Sequence, residues 1–199
     1  MITPRPYLSF SSMVKFEKSP EDWANHYLYN VEQYTNKNME FGSEMAQGLE
    51  NDTATGNPML DLMMAKLPKF ELMDKPLEAD LKNGKEVIHL LAKPDTCKAD
   101  YSAFKEYKTS VRKWTQKMAD ESGQVTFYAT TIWLKTGKIP QDIELVDIQT
   151  AYDDDGKLYP TGDMWRFPTK RTMTDIIKMT KRMRATWAGI KELCEKELL

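Results

Sequence analysis

Asp95, Glu106 and Lys108 are the residues of this chain whose types and spacing could do chemistry. Glu106-Tyr107-Lys108 reads as a strand between Phe104 and the Thr109-Ser110 turn signal. Residues two apart on a strand project from one face, so Glu106 and Lys108 point one way and Tyr107 the other. Asp95 follows an apolar run, Val87-Ile88-His89-Leu90-Leu91-Ala92, that reads as the neighbouring strand. The residues between Asp95 and Glu106 suffice for a turn and a return to the adjacent position. Two carboxylates and a lysine would then meet at one spot. Such a group suits Mg²⁺, which takes hard oxygen ligands, often one or two protein carboxylates, and keeps its remaining positions for water and substrate phosphate. A bound ion neutralises charge developing at phosphorus and lowers the pKa of water. A lysine beside it orients the attacking water or stabilises an oxyanion. The spacing therefore suggests phosphodiester hydrolysis; it equally fits a hairpin carrying a solvated ion pair.

Four segments add context. Leu8-Ser9-Phe10-Ser11-Ser12-Met13 with Pro20-Glu21-Asp22-Trp23 forms a Ser-x-Ser helix entry and a Pro/aromatic segment. Phe41-Gly42, Ala46 and Leu49-Glu50 form a helix; Pro94-Asp95 with Glu106-Tyr107-Lys108-Thr109-Ser110 follows, then Gln124-Val125-Thr126-Phe127-Tyr128. In this order, over most of residues 7–150, they resemble the PD-(D/E)XK nuclease superfamily, specifically its RecB-like exonuclease branch. The resemblance implies a single restriction-endonuclease-like α/β domain over residues 1–199, with a central mixed β-sheet flanked by helices. It implies a metal-dependent deoxyribonuclease, an exonuclease of replication, recombination or repair. Mg²⁺ or Mn²⁺ would be held by Asp95, Glu106, Glu50 and the Tyr107 carbonyl, with Lys108 activating water and Gln124 and Tyr128 shaping the substrate side. DNA is the implied substrate and a recombination or replication protein an implied partner, and the resemblance leaves room for an oligomer; the compact form suits a phage or mobile-element source. The chain departs from the branch at Ala46, where many members carry histidine, and Glu44 competes with Glu50 as the further ligand. With two cysteines, Cys97 and Cys194, it cannot hold the four-cysteine iron–sulfur cluster of some members. The rival reading is a catalytically silent nucleic-acid-binding or assembly protein that keeps the nuclease fold.

Composition bounds these readings. A chain of 199 residues can bury a sizeable core, and 41% hydrophobic with 29% charged residues is ordinary for a globular protein. Two distant cysteines give no disulfide framework and suit a reducing cytosol, although a Cys97–Cys194 bridge stays open. No apolar run approaches the ~20 residues of a membrane span, and Met-Ile-Thr-Pro-Arg-Pro lacks the pattern of a signal peptide; a cytoplasmic protein is expected. A phosphate-binding Gly-x-x-x-x-Gly-Lys loop is missing. The net charge of −2 does not advertise a nucleic-acid binder. Even so, Arg166, Lys170, Arg171, Lys178, Lys181, Arg182 and Arg184, interleaved with Trp165 and Phe167, could hold phosphates and stack bases. The lysines equally suit the solvated face of a helix.

The elements that must position these residues follow from pattern. Ser9 or Ser11 caps a helix that breaks near Pro20 and resumes through Trp23. Strands are expected at 69–81 and 85–92, joined by a type I′ turn at Asn83-Gly84, then at 103–108, 144–149 and 164–167. Helices are expected at 39–51, 59–66, 111–121 and 124–136. A last helix at 172–197 carries Ile176, Ile177, Met179, Met183, Trp187, Ile190 and Leu193 on its apolar side.

Overall fold

The computed structural model describes residues 5–32, 37–51 and 53–197, apart from the side chains at 37–39, 46, 49 and 50. The elements run in the order β1 (Leu8–Ser9), α1 (Phe10–Lys18), α2 (Pro20–Tyr27), α3 (Lys37–Asn51), α4 (Pro58–Lys66), β2 (Leu72–Met73), β3 (Leu77–Asn83) and β4 (Glu86–Ala92). They continue with β5 (Thr96–Cys97), β6 (Ala103–Ser110), α5 (Gln116–Asp120), α6 (Gly123–Thr136), β7 (Asp142–Tyr152), β8 (Leu158–Thr169) and α7 (Met173–Glu197). This is a mixed α/β fold with helices flanking the strands. The strands form two sheets, β1-β4-β3 and β2-β5-β6-β7-β8. Each mixes directions: β1 runs parallel to β4, and β6 parallel to β7, while the remaining pairs are antiparallel.

The apolar run 87–92 is thus a strand, but not the neighbour of Glu106. It pairs with β1 and β3, and the short β5, just after Asp95, takes the place beside β6. The expected strand 69–81 is likewise two strands, interrupted where Asp74 adopts the left-handed region at φ 49° and Pro76 follows. The β3–β4 turn is shifted by one residue. Asn83 pairs with Glu86, so Gly84 and Lys85 are its central residues. Gly84 has φ 65° and Lys85 is not left-handed, the φ signs of a II′ turn rather than I′. The expected helix 111–121 shrinks to α5, because β6 extends to Ser110 and Thr115 caps the helix by accepting from the Met118 N–H.

Helix ends are closed locally. Ser9 Oγ accepts from Ser12 N at 3.3 Å, Ser19 Oγ accepts from Asp22 N at 3.0 Å ahead of Pro20, and Ser122 caps α6. At the other end of α6, Gly137 takes the left-handed conformation (φ 75°) and its N–H donates to the Trp133 carbonyl at 2.8 Å. α6 is interior: Val125, Phe127, Ala129, Thr130, Thr131 and Ile132 are all buried. Its buried threonines spend their hydroxyls on carbonyls one turn back, Thr130 on Thr126 and Thr131 on Phe127, so neither hydroxyl is left bare. One core joins Leu81, Ile88 and Leu90 of the small sheet to Phe104, Ile143 and Leu145 of the large one through α6 and α7. A second, on the other face of the large sheet, packs Phe41, Met45, Leu60 and Met63 of α3 and α4 on Tyr107, Val146 and Ile148. The apolar side of α7 is as patterned, except that Ile177 is exposed. Both cysteines are free and buried, which closes the question of a bridge. Among the described residues no helix is long and apolar enough to cross a membrane.

Candidate active site

β6 lies between β5 and β7, but β5 pairs only with Phe104 and Lys105. Beyond Lys105 the β5-side edge of β6 is therefore open to other partners, and the loop before β5 supplies one. The Asp95 carboxylate accepts from the Tyr107 N–H at 2.5 Å. A strand residue's N–H and C=O face the same edge, so the Tyr107 carbonyl turns toward the Asp95 side as well. The Tyr107 ring points to the opposite face, where its hydroxyl donates to the Pro68 carbonyl at 2.8 Å.

Glu106 and Lys108 project together from the other face. Lys108 Nζ donates to Glu106 Oε1 and to Gln124 Oε1, each at 2.7 Å, and Gln124 Nε2 donates to the Tyr128 hydroxyl at 2.8 Å. The i, i+4 spacing of Gln124 and Tyr128 puts both on one face of α6. Capping by Ser122 fixes where that face starts. Asp95, Glu106, Lys108, Gln124 and Tyr128, drawn from a loop, a strand and a helix, thus form one continuous polar group.

Its charge is poorly balanced. Burial, and then the Glu106 charge, holds the Asp95 carboxyl well above the usual range, against the Tyr107 N–H and Lys108. Burial raises Glu106 too, although Lys108 opposes it. Burial alone would lower the Lys108 ammonium, but Glu106 and Asp95 outweigh it and raise its pKa. Glu106 is only 3% exposed, and its Oε2 is buried with no hydrogen-bond partner among the described residues. An ionised carboxylate with one bare buried oxygen is costly. A divalent cation fits that cost: carboxylate and carbonyl oxygens are its preferred donors, and Asp95, Glu106 and the Tyr107 carbonyl supply them. Among the described residues no three acidic, histidine or cysteine side chains close around a common point, so the two carboxylates would leave most of the coordination sphere open.

The further carboxylates expected on α3 have separate outcomes. Glu44 is exposed. Glu50 lies on α3, which packs against the Tyr107 face of the sheet, but its side chain lies outside the described residues.

Two further acidic residues near the site carry only weak signals in the sequence. Asp74, in its left-handed conformation, donates its N–H to the Asp95 carbonyl at 3.0 Å and pairs with Lys93 at 2.5 Å. The Asp74-Lys75-Pro76 sequence there is a turn signal inside the stretch expected as one strand. Asp147, fully buried on β7, accepts from Ser110 Oγ at 2.5 Å and from the Trp114 N–H at 2.9 Å. Its signal was an acidic residue inside an otherwise apolar strand, Leu145-Val146-Asp147-Ile148.

The basic C-terminal residues separate. Arg166 grips Glu144 through two hydrogen bonds of 2.9 and 2.8 Å, Arg171 is buried on neutral oxygens of Thr126, Thr169, Lys170, Ala119 and Ser122, and Arg182 pairs with Glu17. Lys178 and Lys181 are exposed on α7. Basic side chains gather elsewhere: a cleft of about 610 Å³ beside Gln124 and Tyr128 is lined by Ser11, Lys15, Lys18 and Lys93.

Solved structures share this architecture. A protein from Eubacterium rectale, provisionally named an exonuclease, aligns over 96% of this chain and 82% of its own, with 12% identity and a TM-score of 0.63. LHK-Exo, in complex with dAMP, aligns over 97% of this chain and 92% of its own, with 16% identity and a TM-score of 0.51. The chain shares the fold of these two proteins. No protein-family model matches the sequence, and no curated protein matches it.

Proposed function

We infer that this protein is a metal-dependent deoxyribonuclease of the PD-(D/E)XK type, within the RecB-like exonuclease branch, working in replication, recombination or repair. The observation that carries the reading is the pairing of Lys108 with Glu106 at 2.7 Å, beside an Asp95 held on the Tyr107 backbone and a Glu106 oxygen left bare in a buried setting. Asp95, Glu106 and the Tyr107 carbonyl would hold Mg²⁺ or Mn²⁺, with Glu50 as a further ligand from α3. When bound, the ion neutralises phosphate charge and acidifies water. The residues themselves do the rest. Lys108 holds the attacking water in line with the leaving oxygen and steadies negative charge as the bond to phosphorus forms. Gln124 keeps the Lys108 ammonium aimed at the site, and Tyr128 keeps Gln124 in the orientation that presents its carbonyl oxygen to Lys108. The lysine-lined cleft beside them suits a phosphate backbone despite the net charge of −2. A recombination or replication protein is the partner this role calls for.

The test is cleavage of labelled linear, nicked and single-stranded DNA with Mg²⁺, Mn²⁺ or EDTA, with Lys108→Ala run in parallel. Cleavage that needs metal and disappears in the variant supports the assignment. A folded protein that binds DNA in EDTA and cuts nothing with either metal would be the catalytically silent binding protein instead.

A further inference from the structure

Lys108, Asp147 and Trp165 are register partners across β6, β7 and β8. Side chains of register partners share a sheet face, so Trp165 stands on the face of Glu106 and Lys108. At a strand spacing of about 4.8 Å, its backbone lies about 10 Å from that of Lys108. Its neighbour along the strand on that face, Phe167, is half-buried against the core, whereas Trp165 is 39% exposed. Trp23 and Trp187, by contrast, are buried. The Lys113 ammonium rests 3.0 Å from the centroid of the Trp165 ring, so that face of the indole is covered by a solvated, movable side chain. The loop carrying Lys113, with the exposed Arg112 beside it, is not slack. Asp147, the middle residue of the row, ties down both its ends through Ser110 and Trp114.

We propose that Trp165, with Lys113 and Arg112, is a stacking station for an unpaired nucleobase of the strand led to the Glu106–Lys108 site. A base needs a π-face that it can reach and a cation near its phosphate, and this row offers both once Lys113 swings off the ring. The incoming base takes the place of the ammonium on the indole, and Lys113, released, meets the adjoining phosphate. A paired base has both faces covered by its neighbours, so the station favours single strands and frayed ends over intact duplex. The inference rests on the reading of this chain as a DNA-handling protein and adds to it the strandedness of what is held.

The test uses the full chain in EDTA, so that nothing is cut. Short oligo(dT) quenches the tryptophan emission of the wild type, and Trp165→Ala removes that quench and weakens binding by about five- to a hundredfold, the range of one stacked base. Trp165→Phe, which keeps a ring and should not disturb the strand, also removes the quench but retains part of the affinity. Blunt duplex of equal length gives no quench that depends on Trp165. A quench that survives in a folded Trp165→Ala or Trp165→Phe protein, or an unchanged oligo(dT) affinity in the folded Trp165→Ala protein, overturns the proposal. Cleavage with Mg²⁺ is read separately. A Trp165-dependent quench without any cleavage leaves the station standing and removes the nuclease; cleavage without such a quench does the reverse.

Discussion

Lys108 Nζ lies 2.7 Å from Glu106 Oε1 and 2.7 Å from Gln124 Oε1, so one ammonium joins the carboxylate of β6 to the amide of α6. Two of its three donors are committed before any substrate arrives. Lys108→Ala should therefore lower metal-dependent cleavage by about 100- to 1,000-fold, the loss typical of a preorganised charge at the reacting centre. Lys108→Arg should not rescue it, because a planar guanidinium cannot satisfy both acceptors in the same geometry. Steady-state cleavage of labelled DNA checks this, and wild-type rates in either variant would remove Lys108 from the site.

Gln124 accepts from Lys108 at 2.7 Å, and under the proposed function its variants should show a positioning role in the pattern of their defects. Gln124→Ala leaves the ammonium with Glu106 alone and frees the Tyr128 hydroxyl. We expect kcat to fall about tenfold with KM little changed. Tyr128→Phe removes only the far hydrogen bond of the chain, worth about 1 kcal/mol in stability, and should lower kcat by less. A Gln124→Ala defect that appears wholly in KM would mean that the amide touches substrate instead of positioning Lys108.

Asp95 offers a test that does not require turnover. Its carboxyl is raised by burial and by Glu106, so without metal its charge is held at a cost to the fold. Asp95→Asn keeps an oxygen for the Tyr107 N–H and removes the charge. The variant should melt about 2–4 °C higher than wild type in EDTA, as a gain of about 1 kcal/mol would give. Mn²⁺ should raise the wild-type melting temperature and leave that of the variant nearly unmoved. Equal Mn²⁺ shifts in both proteins would exclude Asp95 as a ligand.

What the sequence disclosed depended on how local the controlling physics was. Glu106 and Lys108 share a face because a strand repeats every two residues, and Gln124 and Tyr128 share one because a helix turn spans four. Both follow from chain geometry alone. The Ser9 cap and the α7 stripe are local in the same sense. The partner of a strand is not. An apolar run such as 87–92 declares that it is buried, not which sheet receives it, so nothing local separates the expected place beside β6 from the actual one between β1 and β3. Asp74 was hidden because a left-handed residue inside a β-like stretch shows only as a turn signal. Asp147 was hidden because its partners, Ser110 and Trp114, lie on another strand and loop. Trp165 stands out in the sequence as an aromatic among basic residues, yet the cation it meets is Lys113, on the loop after β6, rather than its neighbours in sequence.

On the face opposite the site, Glu144 holds Lys105 at 2.9 Å and Arg166 through two bonds, with Lys105 and Glu144 each 7% exposed at the side chain. Burial works against the Glu144 carboxylate, but bonds from Arg166 and Lys105 outweigh it and hold the pKa below its ordinary 4.5. The stability this contributes is complete above pH 4.5 and is lost as the pH falls through the lower folded value. Urea unfolding from about pH 6 to pH 3 should show wild type losing stability over the acid end, with a shallower slope for Glu144→Gln. Glu144→Ala leaves Lys105 buried without its carboxylate and should cost about 3–5 kcal/mol at neutral pH. A loss below 1 kcal/mol would mean that Lys105 reaches water in the variant.

Cys97 provides a check on the packing beneath the site, since it sits on β5 immediately after the Asp95 loop and is 3% exposed. Burial, followed by the charges of Asp100 and Glu71, pushes its thiol up to about 12. Only a thiolate attacks alkylating or disulfide reagents, so at pH 8 roughly one thiol in ten thousand is reactive even before access is considered. Cys194 is buried as well. Native protein should therefore resist labelling for hours and gain two adducts per chain in denaturant. The rate at Cys97, resolved from Cys194 with a Cys194→Ala protein, then reports opening of the β5–β6 edge on which Asp95 depends. Adding Mn²⁺ should slow that rate, because Asp95 on the β5-side loop and Glu106 on β6 would hold the proposed ion together. Rapid labelling of native Cys97, with or without metal, would show that this edge opens freely and that Asp95 is not held where the site requires it.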